Sequence, residues 1–421
     1  MSRPHAPLLA TALALAVPTV AHAAPPTLST RTLVDGTRLV VAEHPDAREE
    51  SLRWIVHAGA RQDPPENAGL AHLLEHVVLR GDAGHRQRDL FGMARRLGLD
   101  LNATTNADAT VYQLEGPRGA LWRLAPTFIG VITDPTLDEH DLTIELGVVS
   151  AEQSLRGDGE GARLLFSLLS PALREQGSVI GSRASRGTAR IEALRDYYAR
   201  YYRPRNTTVV YVGPMPPDAV ARSIEAATRL APHPAPVDHR PPTPRTPGVI
   251  DATVPSPLFV SMIGYDLTEA PAGVCDDLAR LLALRALDAF HADEDASIEC
   301  VQLADVRALL VLGVGHGYDA HSLAERAARL FDGLRTRPMS ASERALLAQR
   351  AAHRRDALLA SAPALGAALA EVLARAPPGA APPDVLALVL APPALSADAM
   401  SRAARKLLVD DNRLSLTGRP F

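Results

Sequence analysis

The run His72-Leu73-Leu74-Glu75-His76 makes chemical sense only as a helix. Residues four apart share a helical face, so His72 and His76 can present two imidazoles to one metal ion. Glu75 lies within a turn of both, placed to take a proton from a water beside that metal. The order His-x-x-Glu-His is the inverted form of the commoner zinc-binding His-Glu-x-x-His helix. A buried apolar helix from Gly69 to Leu79 carrying two satisfied histidines would read the same way, so the motif needs support elsewhere in the chain.

One support is a third ligand. Catalytic zinc usually takes three protein ligands and keeps one position for water. Glu145 and Glu152 stand in a segment of helical periodicity, Asp141 to Glu152. Seven residues is nearly two turns, which puts both carboxylates on one face. Such a pair on a mostly apolar helix is costly unless a cation or hydrogen bonds compensate it, although a solvated helix edge is the plainer reading of the segment alone. A second support is the stretch Leu101-Asn102-Ala103-Thr104-Thr105-Asn106-Ala107-Asp108-Ala109-Thr110-Val111-Tyr112. It reads as a turn feeding a strand, with Thr110, Val111 and Tyr112 favouring extended backbone.

Taken in order, these segments resemble the pitrilysin-type metallopeptidases, the family of insulin-degrading enzyme and the mitochondrial processing peptidase. The resemblance begins with Leu33-Val34-Asp35-Gly36-Thr37-Arg38-Leu39-Val40 and Ala58-Gly59-Ala60-Arg61-Gln62-Asp63. It continues through Gly69-Leu70-Ala71-His72-Leu73-Leu74-Glu75-His76, Asn102 to Tyr112, and the Glu145/Glu152 pair, and ends at Tyr201-Tyr202-Arg203-Pro204-Arg205-Asn206 before Val212-Gly213. It implies that His72, His76 and Glu152 ligate one Zn2+ per chain. Glu75 would be the general base that activates a zinc-bound water, and Glu145 a carboxylate that orients a ligand histidine. Asn102 and Ala103 would belong to an edge strand on which peptide substrate is laid by β-augmentation.

A length of 421 residues, 47% hydrophobic with a formal charge of −4, suits a multidomain globular chain and argues against a nucleic-acid binder. Nearly all the basic residues are Arg; Lys406 is the sole lysine. Residues 1–23 read as a signal peptide: Arg3 and His5, an apolar core from Leu8 to Val17, then Ala21-His22-Ala23 as the cleavage site. That core is too short for a stable anchor, so export is expected, to the periplasm in a Gram-negative host, with no membrane span in the mature chain. Ala231 to Pro247 is Pro-rich and reads as a semi-rigid linker. The expected division is an N-terminal zinc-bearing peptidase domain, 24–230, a linker, 231–248, and a C-terminal peptidase-like domain without the zinc motif, 249–421. Both halves close on a helix, a turn with Asn (Asn206, Asn412), a strand and a Gly, a weak repeat that fits duplication. The fold class is therefore α+β: two tandem homologous domains, each a mostly antiparallel sheet packed with helices. Expected strands are Arg38 to Ala42, Leu52 to His57, Leu258 to Ile263 and Ala308 to Val314. Gly313-Val314-Gly315-His316-Gly317 reads as a turn after a strand. Cys275 and Cys300 fit either a disulfide or two buried thiols.

The resemblance also implies an Arg and a Tyr from a domain without zinc, which hold substrate and stabilise the developing oxyanion. The matching region here, His291 to Leu310, has no tyrosine, and Arg307 and Tyr318 are remnants at best. This points to the zinc-bearing subunit of a two-chain peptidase whose partner, a second family member, supplies Arg and Tyr; a homodimer is the other arrangement. The function implied is zinc-dependent endopeptidase action on short or unfolded peptides. The alternative is a non-catalytic scaffold subunit of the same fold.

Overall fold

The computed structural model describes residues 25–80, 89–155, 179–229, 250–255, 259–270, 273–286, 295–303, 306–315, 320–376, 384–390 and 396–419. The expected signal peptide, the Pro-rich stretch 231–248 and Tyr318 lie outside the described residues. The first half runs β1 (Thr27–Thr32), β2 (Arg38–Glu43), β3 (Glu49–Val56), α1 (Leu70–Arg80), α2 (Leu90–Arg96), β4 (Asp100–Thr105), β5 (Thr110–Pro117), α3 (Ala125–Thr133), α4 (Glu139–Leu155), α5 (Arg183–Gly187), α6 (Ile191–Tyr201), β6 (Thr207–Gly213) and α7 (Pro217–Ala227). The second runs β7 (Ile250–Pro255), β8 (Phe259–Asp266), α8 (Val274–Ala286), β9 (Asp295–Leu303), β10 (Val306–Gly315), α9 (Ala320–Thr336), α10 (Ala341–Ala360), α11 (Ala362–Arg375), α12 (Val385–Leu390), α13 (Ala397–Leu407) and β11 (Arg413–Arg419).

Two sheets organise these elements, in strand order β1-β2-β6-β3-β5-β4 and β7-β11-β8-β10-β9. In each, the last strand of the half inserts parallel to one early strand and antiparallel to the next: β6 between β2 and β3, β11 between β7 and β8. Every other pairing is antiparallel. The closing turns repeat as well. Asn206 Nδ2 donates to the Tyr201 carbonyl at 2.9 Å, and Asn412 Nδ2 to the Leu407 carbonyl at 3.0 Å. Each side chain satisfies the end of a helix just before the chain turns into its sheet. The architecture is α+β with two tandem copies of one mostly antiparallel unit.

Alternation along the strands sets the layers, since neighbouring side chains point to opposite faces. Leu39, Val41, Leu52, Trp54 and Tyr112 face the core under the helices of the first half. Val40, Ala42, Ile55, Val210 and Val212 face the other way and are covered by Leu365, Leu369 and Leu373 of α11 from the second half. The first sheet is thus buried on both sides, and α11 joins the halves. A separate core packs Ile263, Tyr265, Leu309 and Val311 against α8, α9 and α13.

Where α11 crosses β3, the contact is polar and close. Arg53 bonds Gln113 at 2.7 Å and Glu115 at 2.5 Å, and Ser51 Oγ donates to Glu115 at 2.8 Å. Gly366 lies directly over this pair; a Cβ there would collide with Ser51 Oγ and come within 3.4 Å of Arg53 Nε. Alanine gains up to about 1 kcal/mol of helix propensity over glycine, against about 1–3 kcal/mol for overpacking. Gly366→Ala is therefore expected to lower stability by about 1–2 kcal/mol in urea unfolding. An unchanged or higher midpoint would mean that α11 shifts at no cost.

Two sequence readings are settled differently. Gly313 to Gly315, read as a turn, lie within β10, where Gly313 pairs with Ser261 and Gly315 with Phe259. Small residues are tolerated there because the strand is held by neighbours on both sides. Cys275 and Cys300, left open, form a disulfide between α8 and β9. Among the described residues, no single helix is long and apolar enough to cross a membrane.

Candidate metal centre

Helix α1 is buried nearly all round, with Leu70, Leu73, Leu74, Val77 and Val78 packed in the core and His72 and Glu75 also buried. Its start is fixed from outside the helix. The buried Asp63 carboxylate accepts from the Gly69 N–H at 2.7 Å and the Ala71 N–H at 2.9 Å, satisfying donors that a helix start leaves open. Gly69 has φ +95 and Gly181 has φ +72, and the two cross so closely that a Cβ on either would strike the other segment's backbone. These constraints hold the first turn, and hence His72, in place.

The expected site residues do come together. His72, Glu75 and His76 cluster, with potential ligand atoms within 4.8 Å of one another. From α4, Glu152 Oε2 lies 3.4 Å from His76 Nε2 and 3.7 Å from His72 Nε2. Glu145 Oε2 meets His76 Nδ1 at 3.0 Å, and Glu145 Oε1 accepts from Arg80 at 3.0 Å. Arg80 also donates to Asp141 at 3.0 Å. The two carboxylates of α4 thus straddle one imidazole, Glu145 on its Nδ1 and Glu152 on its Nε2.

The donor set fits a tetrahedral metal ion. With metal–ligand bonds near 2.1 Å, the edge of such a tetrahedron is about 3.4 Å. The Glu152 separations from the two Nε2 atoms sit at or just above that value, too long for ordinary hydrogen bonds. A carboxylate on Nδ1 also sets the tautomer that leaves Nε2 to ligate. Electrostatics agree. In the chain alone, burial opposes the His76 imidazolium, but its bond to Glu145 and the charges of Glu75, Glu145 and Glu152 outweigh burial and raise its pKa. For Glu145, burial works upward and is overcome by bonds to His76 and Arg80, so its pKa is lowered. The carboxylates responsible, Glu75, Glu145 and Glu152, are negative charge gathered around these rings, which a bound cation would offset.

Asn102 and Ala103 lie on β4, the outer strand of the first sheet. Asn102 is exposed, and its Oδ1 accepts from the Ala103 N–H at 2.9 Å. Sequence reading missed Thr105 at the end of β4, whose Oγ1 donates to Glu75 Oε2 at 2.5 Å. Thr105 stood in the Asn102–Tyr112 stretch only as a motif position without a role, and the fold reveals its bond to Glu75. Asp63 was legible only as part of a motif, because a helix cap ordinarily stands next to its helix. Arg307 does not approach this centre through any described contact; it donates to the Ala270 carbonyl at 3.0 Å.

Two family models match the chain: insulinase (peptidase family M16) over residues 38–176, and the peptidase M16 inactive domain over residues 188–289. The probable zinc protease PqqL of Escherichia coli is 29% identical over 198 residues, covering 44% of this chain and 21% of that protein. The uncharacterized zinc protease YmxG of Bacillus subtilis is 27% identical over 190 residues, 43% of this chain and 45% of its own. The chain therefore spans less than half the length of these curated relatives. Among solved structures, a protease from Helicobacter pylori superimposes with a TM-score of 0.82 at 19% identity, covering 94% of this chain and all of that one. The periplasmic protease PqqL from Escherichia coli matches with a TM-score of 0.74 at 18% identity, over 94% of this chain and 48% of its own. With the inverted motif in its first half and the duplicated fold behind it, this chain belongs to the pitrilysin-type peptidases of family M16.

Proposed function

We propose that this chain is a zinc-dependent endopeptidase acting on short or unfolded peptides. His72, His76 and Glu152 would hold one zinc ion, and Glu75 would be the general base. The observation that carries this is the placing of Glu152 Oε2 at tetrahedral-edge distance from both Nε2 atoms, with Glu75 in the same cluster. Zinc bound there would supply Lewis acidity, acidifying the attacking water and polarising the scissile carbonyl. Glu75 takes the proton as the water attacks and passes it to the leaving amine. Glu145 holds the His76 ring against rotation through Nδ1. A peptide in extended form would pair along the open edge of β4 at Asn102 and Ala103, which restricts substrates to segments that can become strands.

On this reading residues 24–230 form the zinc-bearing domain, and 249–421 a second, peptidase-like domain that ligates no metal. The oxyanion would be met by an Arg and a Tyr from a second subunit, either another family member or a copy of this chain. Export, to the periplasm in a Gram-negative host, belongs to the same proposal. The test is hydrolysis of a quenched library of unstructured peptides by the purified mature chain, alone and with a co-expressed family member, alongside metal analysis. One zinc per chain, lost in His72→Ala, with cleavage by the chain alone or by the pair, is the expected result. Absence of zinc from protein refolded in excess zinc would refute the ligand assignment. Bound zinc with no cleavage in either arrangement would refute the peptidase.

A further inference from the structure

We infer that Thr105 is a positioning residue for Glu75: its hydroxyl holds Oε2 to the edge strand, so that Oε1 is the oxygen that takes the proton. This rests on the reading of Glu75 as the general base. The direction of the hydrogen bonds supports it. Thr110 Oγ1 donates to the Ala58 carbonyl at 3.0 Å, an atom that can only accept. The single proton of Thr105 Oγ1 then has two destinations, Glu75 Oε2 at 2.5 Å and Thr110 Oγ1 at 3.4 Å. The shorter bond, to a carboxylate, is the stronger by far. Both threonines are buried, so water does not readily compete for this bond.

The second half of the molecule shows what the position is for. Val209 and Ser415 each lie three residues past the repeated asparagine. Through the ladders, Val209 leads by way of Trp54 and Tyr112 to Ala103. Ser415 leads by way of Ile263 and Val311 to Ile298. Two residues on from these, Thr105 and Cys300 therefore occupy the same place in the two copies. Cys300 is joined covalently to Cys275 of α8, the helix that lies between β8 and β9 as α1 lies between β3 and β4. In both copies this place ties the edge strand to the helix behind it. In the second copy the tie is a disulfide. In the first it is a hydrogen bond that ends on the proposed base. The strand proposed to align substrate and the group proposed to act on it are thereby held in one register.

A merely structural tie would show itself in stability, a positioning role in turnover. Thr105→Val keeps the shape and removes the donor; Thr105→Ser keeps the donor. In the same holoenzyme preparation that cleaves the peptide library, Thr105→Val is expected to retain one zinc per chain and a Tm close to wild type. Its kcat should fall by roughly 10- to 100-fold with KM changed by less than about threefold, as misplacement of a reacting group predicts. Thr105→Ser should recover kcat to within about threefold. Crystal structures of the three proteins give a readout independent of activity: one Glu75 rotamer in wild type and Thr105→Ser, and more than one, or a different one, in Thr105→Val. Wild-type kcat in Thr105→Val, or an unchanged Glu75 rotamer, would overturn the inference, as would a loss explained wholly by lower Tm or lost zinc. If wild type proved no faster than Glu75→Gln, the reading of Glu75 as base would fall. The rotamer comparison would still decide whether Thr105 positions that carboxylate.

Discussion

Glu75→Gln is expected to retain stoichiometric zinc, fold as wild type, and lose peptide hydrolysis by a factor on the order of 10²–10⁴ in kcat, the usual contribution of a positioned general base. The amide is nearly isosteric, and its oxygen can still accept from Thr105 Oγ1, so the hydrogen bond that anchors this side chain to β4 survives. Its remaining atoms cannot take a proton near neutral pH. The three proposed ligands, His72, His76 and Glu152, are untouched, and so is the Glu145 bond that orients His76. The proposed pairing of substrate along β4 involves none of these groups, so KM should stay within a few-fold. The contrast is with Glu152→Gln, where a charged ligand is exchanged for a neutral one and zinc affinity itself should fall. Measuring zinc content and kcat in both variants separates the two roles. Equal zinc loss would make Glu75 a ligand, and undiminished kcat in Glu75→Gln would remove it from the chemistry.

Much of this centre could be read from the sequence because it depends on helical spacing. The expected helix, Gly69 to Leu79, is Leu70–Arg80, and Glu145 and Glu152 do face it from one side of α4. The bond of Thr105 was not legible, because its partner lies 30 residues earlier and the contact depends on how the edge strand meets α1. Long-range placement limited the fold in the same way. Strands such as Arg38–Glu43 and Thr207–Gly213 are apolar on both faces, the signature of a sheet buried from both sides. The pattern says that something covers Val40, Ala42, Val210 and Val212. It does not say that the cover is α11, more than 140 residues beyond the last of them. The disulfide shows a related limit: two cysteines 25 residues apart carry no register, and it is the pairing of β9 with β10 that places Cys300 over α8.

A large loss of stability from one polar substitution is expected far from the metal centre, at Arg285. Its side chain is 4% exposed and donates to Glu343 Oε1 at 2.8 Å, to Glu343 Oε2 at 3.3 Å, and to the carbonyls of Gly333, Arg337 and Pro338. One guanidinium therefore gathers the end of α8, the last turn of α9 and the start of α10. Glu343 also accepts from the Ser340 N–H at 2.7 Å, closing the first turn of α10. Arg285→Ala removes the donor from a carboxylate and three carbonyls at once, and about 3 kcal/mol is expected from breaking such a pair. Glu343→Gln is milder, because the amide oxygen can still accept. The pH dependence carries the sign of a depressed carboxylate. The hydrogen bond from Arg285 is the main cause that lowers the Glu343 pKa from 4.5 to about 2, against some burial. Its stabilisation is fully present above the unfolded value and is lost as pH falls through the folded one, because in that window the unfolded chain binds the extra proton. Discounted for partial solvent access, the amount is about 2 kcal/mol. Urea midpoints measured from pH 7 to 3 should thus show a constant gap between wild type and Glu343→Gln down to about pH 5, narrowing below it. A gap that widened in acid would reverse the assignment. Arg285→Ala within 1 kcal/mol of wild type at pH 7 would mean that the three helix ends are held together by their apolar contacts alone.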